Sequence, residues 1–188
     1  MQQFIYFAML LVVSVFSISV SAHNLMVGQP PKEIRKVVDG EVLLTSEKII
    51  YRPWDSFDLS GKVRIVQHFA ARSSAKALND QLINAITAAH FPQDRYQTTT
   101  IVNLDDAIWG TTGFARSKTE NGKRTAPHSQ VIIDNDGRVK AAWGLQAKTA
   151  MTMVLDRKGR IRFIKEGKLT PSEVEEIIAM VKQQITHP

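Results

Sequence analysis

The chain has no cysteine in 188 residues, and that absence removes several chemistries at once. There is no thiolate nucleophile and no dithiol–disulfide couple. There is also no thiolate ligand for zinc or an iron–sulfur cluster, and no covalent staple to hold the fold. Aromatic residues are scarce, at 7%. Trp54, Trp109 and Trp143 therefore read as core or rim packing rather than as stacking platforms. Past residue 22 no stretch reaches the roughly 18 consecutive apolar side chains of a spanning helix, so no later membrane span is expected. The opening, MQQFIYFAMLLVVSVFSISVSA, lacks any charged side chain.

What that opening does contain is a long apolar run from Phe4 to Val20, closed by Val20-Ser21-Ala22, the small-residue spacing that signal peptidases accept. The expectation is a signal peptide, residues 1–22, cut after Ala22 and leading into a single domain over residues 23–188. An uncleaved anchor is the alternative, since the run approaches the length of a membrane span. With 44% hydrophobic and 22% charged residues the chain belongs among ordinary globular proteins. Its exported part is long enough to bury a core without disulfides. A formal charge of +6 and a sequence pI near 9.7 fit either a merely basic surface or an acidic partner. For an exported chain, a periplasmic protein or a small anionic ligand is expected ahead of nucleic acid, and no motif calls for a cofactor.

Along the chain, Asp39-Gly40 between apolar stretches reads as the turn of a small hairpin, with residues 47–62 as a mixed connection. VRIVQHF, 63–69, is apolar on both parities, as a strand covered on both faces is. From Ser74 to about His90 apolar residues recur at helical spacing until Phe91-Pro92. YQTTTIVN, 96–103, is a β-branched strand, which makes the middle of the chain a βαβ unit. Residues 105–128 read as a loop around one short helix. VIIDNDGRVKAAW (131–143) and MVLDRKGRIRFIK (153–165) each read as strand, Asp-x-x-Gly turn, strand. In the second copy Ile161 and Phe163 face inward, while Arg160 and Arg162 face out to guard a sheet edge. Thr170 and Glu173 form a capping box for a final helix, with Pro171 at its first position and a stripe of Val174, Ile177, Ile178, Val181 and Ile185.

This order of elements, together with VGQPP, LSGKVRIVQHFAARSSAK and IVNLDD, resembles the thiol-disulfide oxidoreductases and peroxiredoxin relatives. In more detail, GKVR, RSSAK, DRYQTTTIVN and DDAI resemble the YtfJ family of exported bacterial proteins of unassigned function. The resemblance implies a periplasmic location and an α/β, thioredoxin-like fold, with a central mixed sheet flanked by helices. It also implies that Ser73 and Lys76 stand where the oxidoreductases carry their two cysteines, and that Ala150 stands near their cis-proline. A non-proline cis bond costs about 3 kcal/mol, so a trans peptide is expected there. Thiol oxidoreductase and peroxidase activities are excluded, because both need a thiolate.

Ligands of an open α/β sheet gather beyond the carboxyl ends of its strands. If the strands at 63–69 and 96–103 pair in parallel, that end brings His68, Arg72 and Ser73 near Asn103, Asp105 and Asp106. Ser73 or Ser74 opens the next helix, where its hydroxyl serves as an N-cap. The same helix end, flanked by Arg72 and Lys76, suits an anion. Arg72, Ser73, Ser74, Lys76 and Asn103 are thus the ligand-binding candidates of a non-redox binding or accessory module for a peptide, an anionic group or a partner protein. The alternative is an enzyme: His68, Ser73 and Asp105 or Asp106 have the residue types of a hydrolase triad, and His68 with the two aspartates could hold a divalent cation. No nucleophile-elbow glycine pattern accompanies them. His23 could join the free amine of a mature N-terminus on copper or nickel. His128 reads as a loop residue, His90 and His187 as helix ends, and DNDG at 134–137 as a turn.

Overall fold

The computed structural model describes residues 23–186. The expected signal segment, residues 1–22, and His187 lie outside the described residues. The strands are β1 (Val37–Thr45), β2 (Lys48–Trp54), β3 (Val63–Ala70), β4 (Tyr96–Asn103), β5 (Gln130–Asp134), β6 (Ala150–Leu155) and β7 (Ile161–Glu166). The helices are α1 (Ser73–Ala77), α2 (Asp80–Ala89), α3 (Thr112–Thr125), α4 (Arg138–Trp143) and α5 (Pro171–Thr186), with a 3-10 turn at Ser56–Leu59.

The strands form one seven-stranded sheet in the order β2-β1-β5-β4-β3-β6-β7. β3–β4 and β4–β5 are parallel, and the other pairs are antiparallel. β3 lies inside the sheet because its apolar residues serve both faces: Val63 and Ile65 pack in one cluster, Val66 in another. On the first face α2 contributes Leu82, and α5 contributes Val174, Ile177, Val181 and Ile185. α3 covers the neighbouring patch of Val102, Val131 and Ile133 through Ala115. On the second face α4 contributes Val139 and Trp143, which pack with Leu25, Ile34 and Leu59. The sheet is therefore buried on both sides, as its parallel core requires.

The capping box forms: Thr170 N–H donates to the Glu173 carboxylate at 2.7 Å, and Glu173 N–H donates to the Thr170 hydroxyl at 3.3 Å. Five features depart from the sequence reading. Asp39-Gly40 is an irregularity inside β1, with Asp39 at φ +49°. The hairpin turns instead at Ser46-Glu47, both at positive φ (+47° and +67°), and Thr45 pairs with Lys48. A two-residue loop with both residues left-handed matches the twist of its strands, although neither residue type advertises it. Residues 48–54, read as connection, are consequently an edge strand. The expected helix from Ser74 is two helices, interrupted at Asn79. The 105–128 loop contains the 14-residue α3.

The two Asp-x-x-Gly copies also diverge. In the second, Asp156 accepts the N–H groups of Lys158 and Arg160, both at 2.9 Å, and its own N–H returns to the Arg160 carbonyl, closing the β6–β7 hairpin. In the first, Asp134 accepts the N–H groups of Arg138 and Val139 at 3.0 and 2.8 Å. These are free donors at the start of a helix, and α4 stands where a strand was expected. Val139 and Trp143 stand four apart and are both buried, a helical spacing. A register shift beside Leu155 puts Ile161 and Phe163 into opposite core clusters, so both point inward but not to one face.

Candidate functional site

β3, β4 and β5 end level with one another, Ala70 opposite Asn103 and Asn103 opposite Asp134. The segments leaving these strands build this end of the molecule: α1 after β3, the loop 104–111 after β4, and α4 after β5. The entry to β6 joins them, since Ala70 N–H donates to the Thr149 carbonyl at 3.0 Å. The Thr149–Ala150 peptide is trans, like every other bond among the described residues.

Asp106 ties these pieces together. One carboxylate oxygen accepts Lys140 Nζ at 2.9 Å, and the other accepts Asn103 Nδ2 at 3.0 Å and Lys148 N–H at 3.1 Å. Its backbone carbonyl accepts Arg72 Nε at 2.6 Å. Asp105 shares the same lysine at 2.9 Å, and its N–H donates to Asn103 Oδ1. Burial pushes the Asp106 carboxyl up, but the donors from Lys140 and Lys148 outweigh it and hold it below the usual carboxylate range. The hydrogen bonds to Asp105 and Asp106 in turn raise Lys140. A buried carboxylate is tolerable only when so paired and bonded.

The sequence candidates separate into an exposed set and an interior set. Ser73, Ser74 and Lys76 are exposed, with Arg72 half-buried beside them. The N-cap is Arg72, not Ser73 or Ser74, and no side chain caps the helix. The guanidinium is drawn instead to the Asp106 carbonyl. Because α1 has only five residues, little dipole accumulates there for an anion, contrary to the sequence reading. Asn103 is fully buried and its amide is committed to Asp105 and Asp106, so it braces the loop rather than meeting a ligand.

His68 is 1% exposed and lies between Ile101 and Met151 in register, with Nε2 unpartnered. Burial drives it down to about 4, with Asp106 pulling weakly the other way. It makes no hydrogen bond to Ser73 or to either aspartate, so a triad is not assembled in this state. Lys140 Nζ occupies the point between the two carboxylates where a divalent ion would bridge them.

Two features at this end escape the sequence reading. Along the chain Lys140 is one basic residue of an expected hairpin, and nothing local reveals its reach to Asp105 and Asp106. Trp109, expected to pack, is 98% exposed, beside Ile108 at 53% and five residues before Phe114 at 65%. Trp54 and Trp143, by contrast, are wholly buried. The available signal was AIWGTTGF itself: its apolar residues match neither a strand nor a helix period, so no core face claims them.

Comparison with known proteins adds the family and fold. A family described as "Bacterial protein of unknown function (YtfJ_HI0045)" matches residues 25–184. An uncharacterized protein of Haemophilus influenzae is 44% identical over 167 residues, covering 89% of this chain and 91% of the relative. The uncharacterized protein YtfJ of Escherichia coli is 44% identical over 163 residues, covering 87% and 89%. Among solved structures, a candidate protein disulfide isomerase from Bacteroides thetaiotaomicron superposes with a TM-score of 0.60 at 16% identity, over 88% of this chain and 94% of that one. At that identity the likeness shows the fold alone, and the fold is thioredoxin-like.

Proposed function

The chain belongs to the YtfJ family of bacterial proteins of unknown function, and on that premise we propose that it is a non-redox binding module of the periplasm. Its thioredoxin-like fold serves as a rigid mount for a docking surface around Ser73. Without cysteine the end of β3 has no thiol chemistry to offer. The observation that carries the reading is Trp109, almost wholly in water on a loop fixed through Asp106 to Arg72, Asn103, Lys140 and Lys148. Holding an aromatic side chain in solvent gains nothing for folding. A pre-ordered loop does lower the entropy lost on binding, and tryptophan is enriched among residues that dominate interfaces. The exposed Ser73, Ser74 and Lys76 extend this surface. The periplasmic location rests on the charge-free apolar run ending in Val20-Ser21-Ala22.

Photo-crosslinking in living cells tests the docking surface, with the reactive residue placed at Ser73, at Trp109, or at the exposed Gln183 of α5 as control. Adducts at the first two sites only, with the Ser73 adduct lost on Trp109→Ser, are expected. Equal labelling at all three positions, or none at Ser73 and Trp109 in a folded chain, would sink the reading.

A further inference from the structure

At the tip made by the loop after β4 and the first turn of α3, Ile108, Trp109 and Phe114 are exposed, and the segments at this end of the sheet carry cations that form no ion pair. Lys76, Lys118 and Lys148 are exposed and Arg72 is half-buried, and among the described residues none of them forms an ion pair. Lys118 Nζ stands 4.7 Å from the centre of the Phe114 ring, so charge and apolar surface are interleaved rather than segregated. Of the described carboxylates on the segments leaving β3, β4 and β5, the exposed Asp80 makes no ion pair, while three others are engaged elsewhere. Asp105 and Asp106 hold Lys140, and Asp134 accepts the first amides of α4.

We infer that this tip docks on an anionic lipid surface, with Trp109 entering the headgroup boundary and the surrounding cations meeting lipid phosphates. The inference rests on the docking reading above and names the occupant. Two observations favour a bilayer over a folded partner. The apolar side chains project outward from a loop and the first turn of a helix, so whatever receives them must yield or already contain a matching pocket, and a bilayer interface yields. The cations also come from separate elements, α1, α3 and the entry to β6. That arrangement suits a field of lipid charges better than a bidentate grip on one carboxylate. Tryptophan at the water–hydrocarbon boundary, with basic side chains around it, is the pattern of interfacial anchoring.

The burial of the other two tryptophans provides a direct readout. Trp54 and Trp143 are 0% exposed, so the difference in emission between the full chain and its Trp109→Phe variant isolates Trp109. The full chain would be mixed with vesicles of equal parts phosphatidylcholine and phosphatidylglycerol, and separately with phosphatidylcholine alone, each with and without brominated acyl chains. Contact of Trp109 with acyl chains reports the docked face however else the chain is held to the vesicle.

In the anionic vesicles Trp109 emission is expected to shift to the blue and to be quenched by brominated lipid. Lys76→Gln and Lys118→Gln should each weaken the docked state about five-fold. Loss of the ring in Trp109→Ser should weaken it about ten-fold or more. Added salt should reverse the charge-dependent part. Trp109 emission that stays water-like and unquenched beside anionic vesicles at low salt overturns the inference. If Trp109 still crosslinks to a protein in cells, the docking reading survives and only its lipid occupant is lost. If it crosslinks to nothing, both fall together.

Discussion

His68 is buried at 1% exposure, with its Nε2 unpartnered. Its place at the end of a central strand made it a candidate base, but side-chain alternation decides the face, and that face is the interior packed against Ile101 and Met151. Burial depresses its pKa from 6.5 to about 4. The unfolded chain therefore binds this proton more tightly than the folded one. The stability this histidine permits is whole above pH 6.5 and is withdrawn as pH falls from about 6.5 towards 4. The full gap corresponds to about 3 kcal/mol. In His68→Met the difference between the unfolding free energies from urea titration at pH 4.5 and pH 7 should shrink by most of that amount, and an unchanged difference would show that other groups carry the acid sensitivity. Lys140 is the complementary case, a residue invisible in sequence that holds the site together. Lys140→Met leaves Asp106, 7% exposed, with amide donors but no cation. A loss of about 2–3 kcal/mol is expected from denaturant titration. Asp106→Asn combined with Lys140→Met should cost less than the sum of the two single changes, and strict additivity would deny the coupling.

At the scale of elements, β3, β4, β6, β7 and α5 were legible because each carries its own period or cap. β3 is apolar on both parities, β4 is β-branched, and α5 has Thr170, Glu173 and a continuous stripe. The boundary between α1 and α2 had no such mark. Asn79 is 1% exposed, and both polar atoms of its side chain lack partners. On the same face of the sheet as the covering α2, Gln67 Nε2 and Thr152 Oγ1 are likewise unpartnered, and the two residues are register neighbours on β3 and β6. Unsatisfied buried groups cost stability, and replacing one by an apolar isostere recovers part of it. Thr152→Val should accordingly raise stability by about 1 kcal/mol in thermal or urea unfolding. A clear destabilisation would mean that the hydroxyl is bonded in solution. The Asp-x-x-Gly pair makes the reverse point: one signature opened a hairpin at Asp156 and a helix at Asp134. The residues just beyond each turn separate them, Ile161 returning to pair across β6, and Val139 with Trp143 at helical spacing.

For the whole molecule, the proposed export makes a direct statement about chain length. The form recovered from the periplasmic fraction should begin at His23 by intact mass and N-terminal sequencing. Recovery of the full 188 residues in the membrane fraction would favour the retained anchor instead. The lack of cysteine, the βαβ centre, the β6–β7 hairpin and the capped final helix were determined by sequence alone, because composition and local periodicity need no distant partner to be read. The resemblance of GKVR, RSSAK and DDAI gave the family and fold class on the same footing. Only tertiary structure decided that His68 turns inward, that Asn103 and Asp106 brace a loop, that Lys140 reaches across from α4, and that Trp109 is left in water. Each of these depends on which side chains from remote segments share a small volume. That is settled by competition for burial and hydrogen bonds across the assembled sheet, a quantity that no window of neighbouring residues contains.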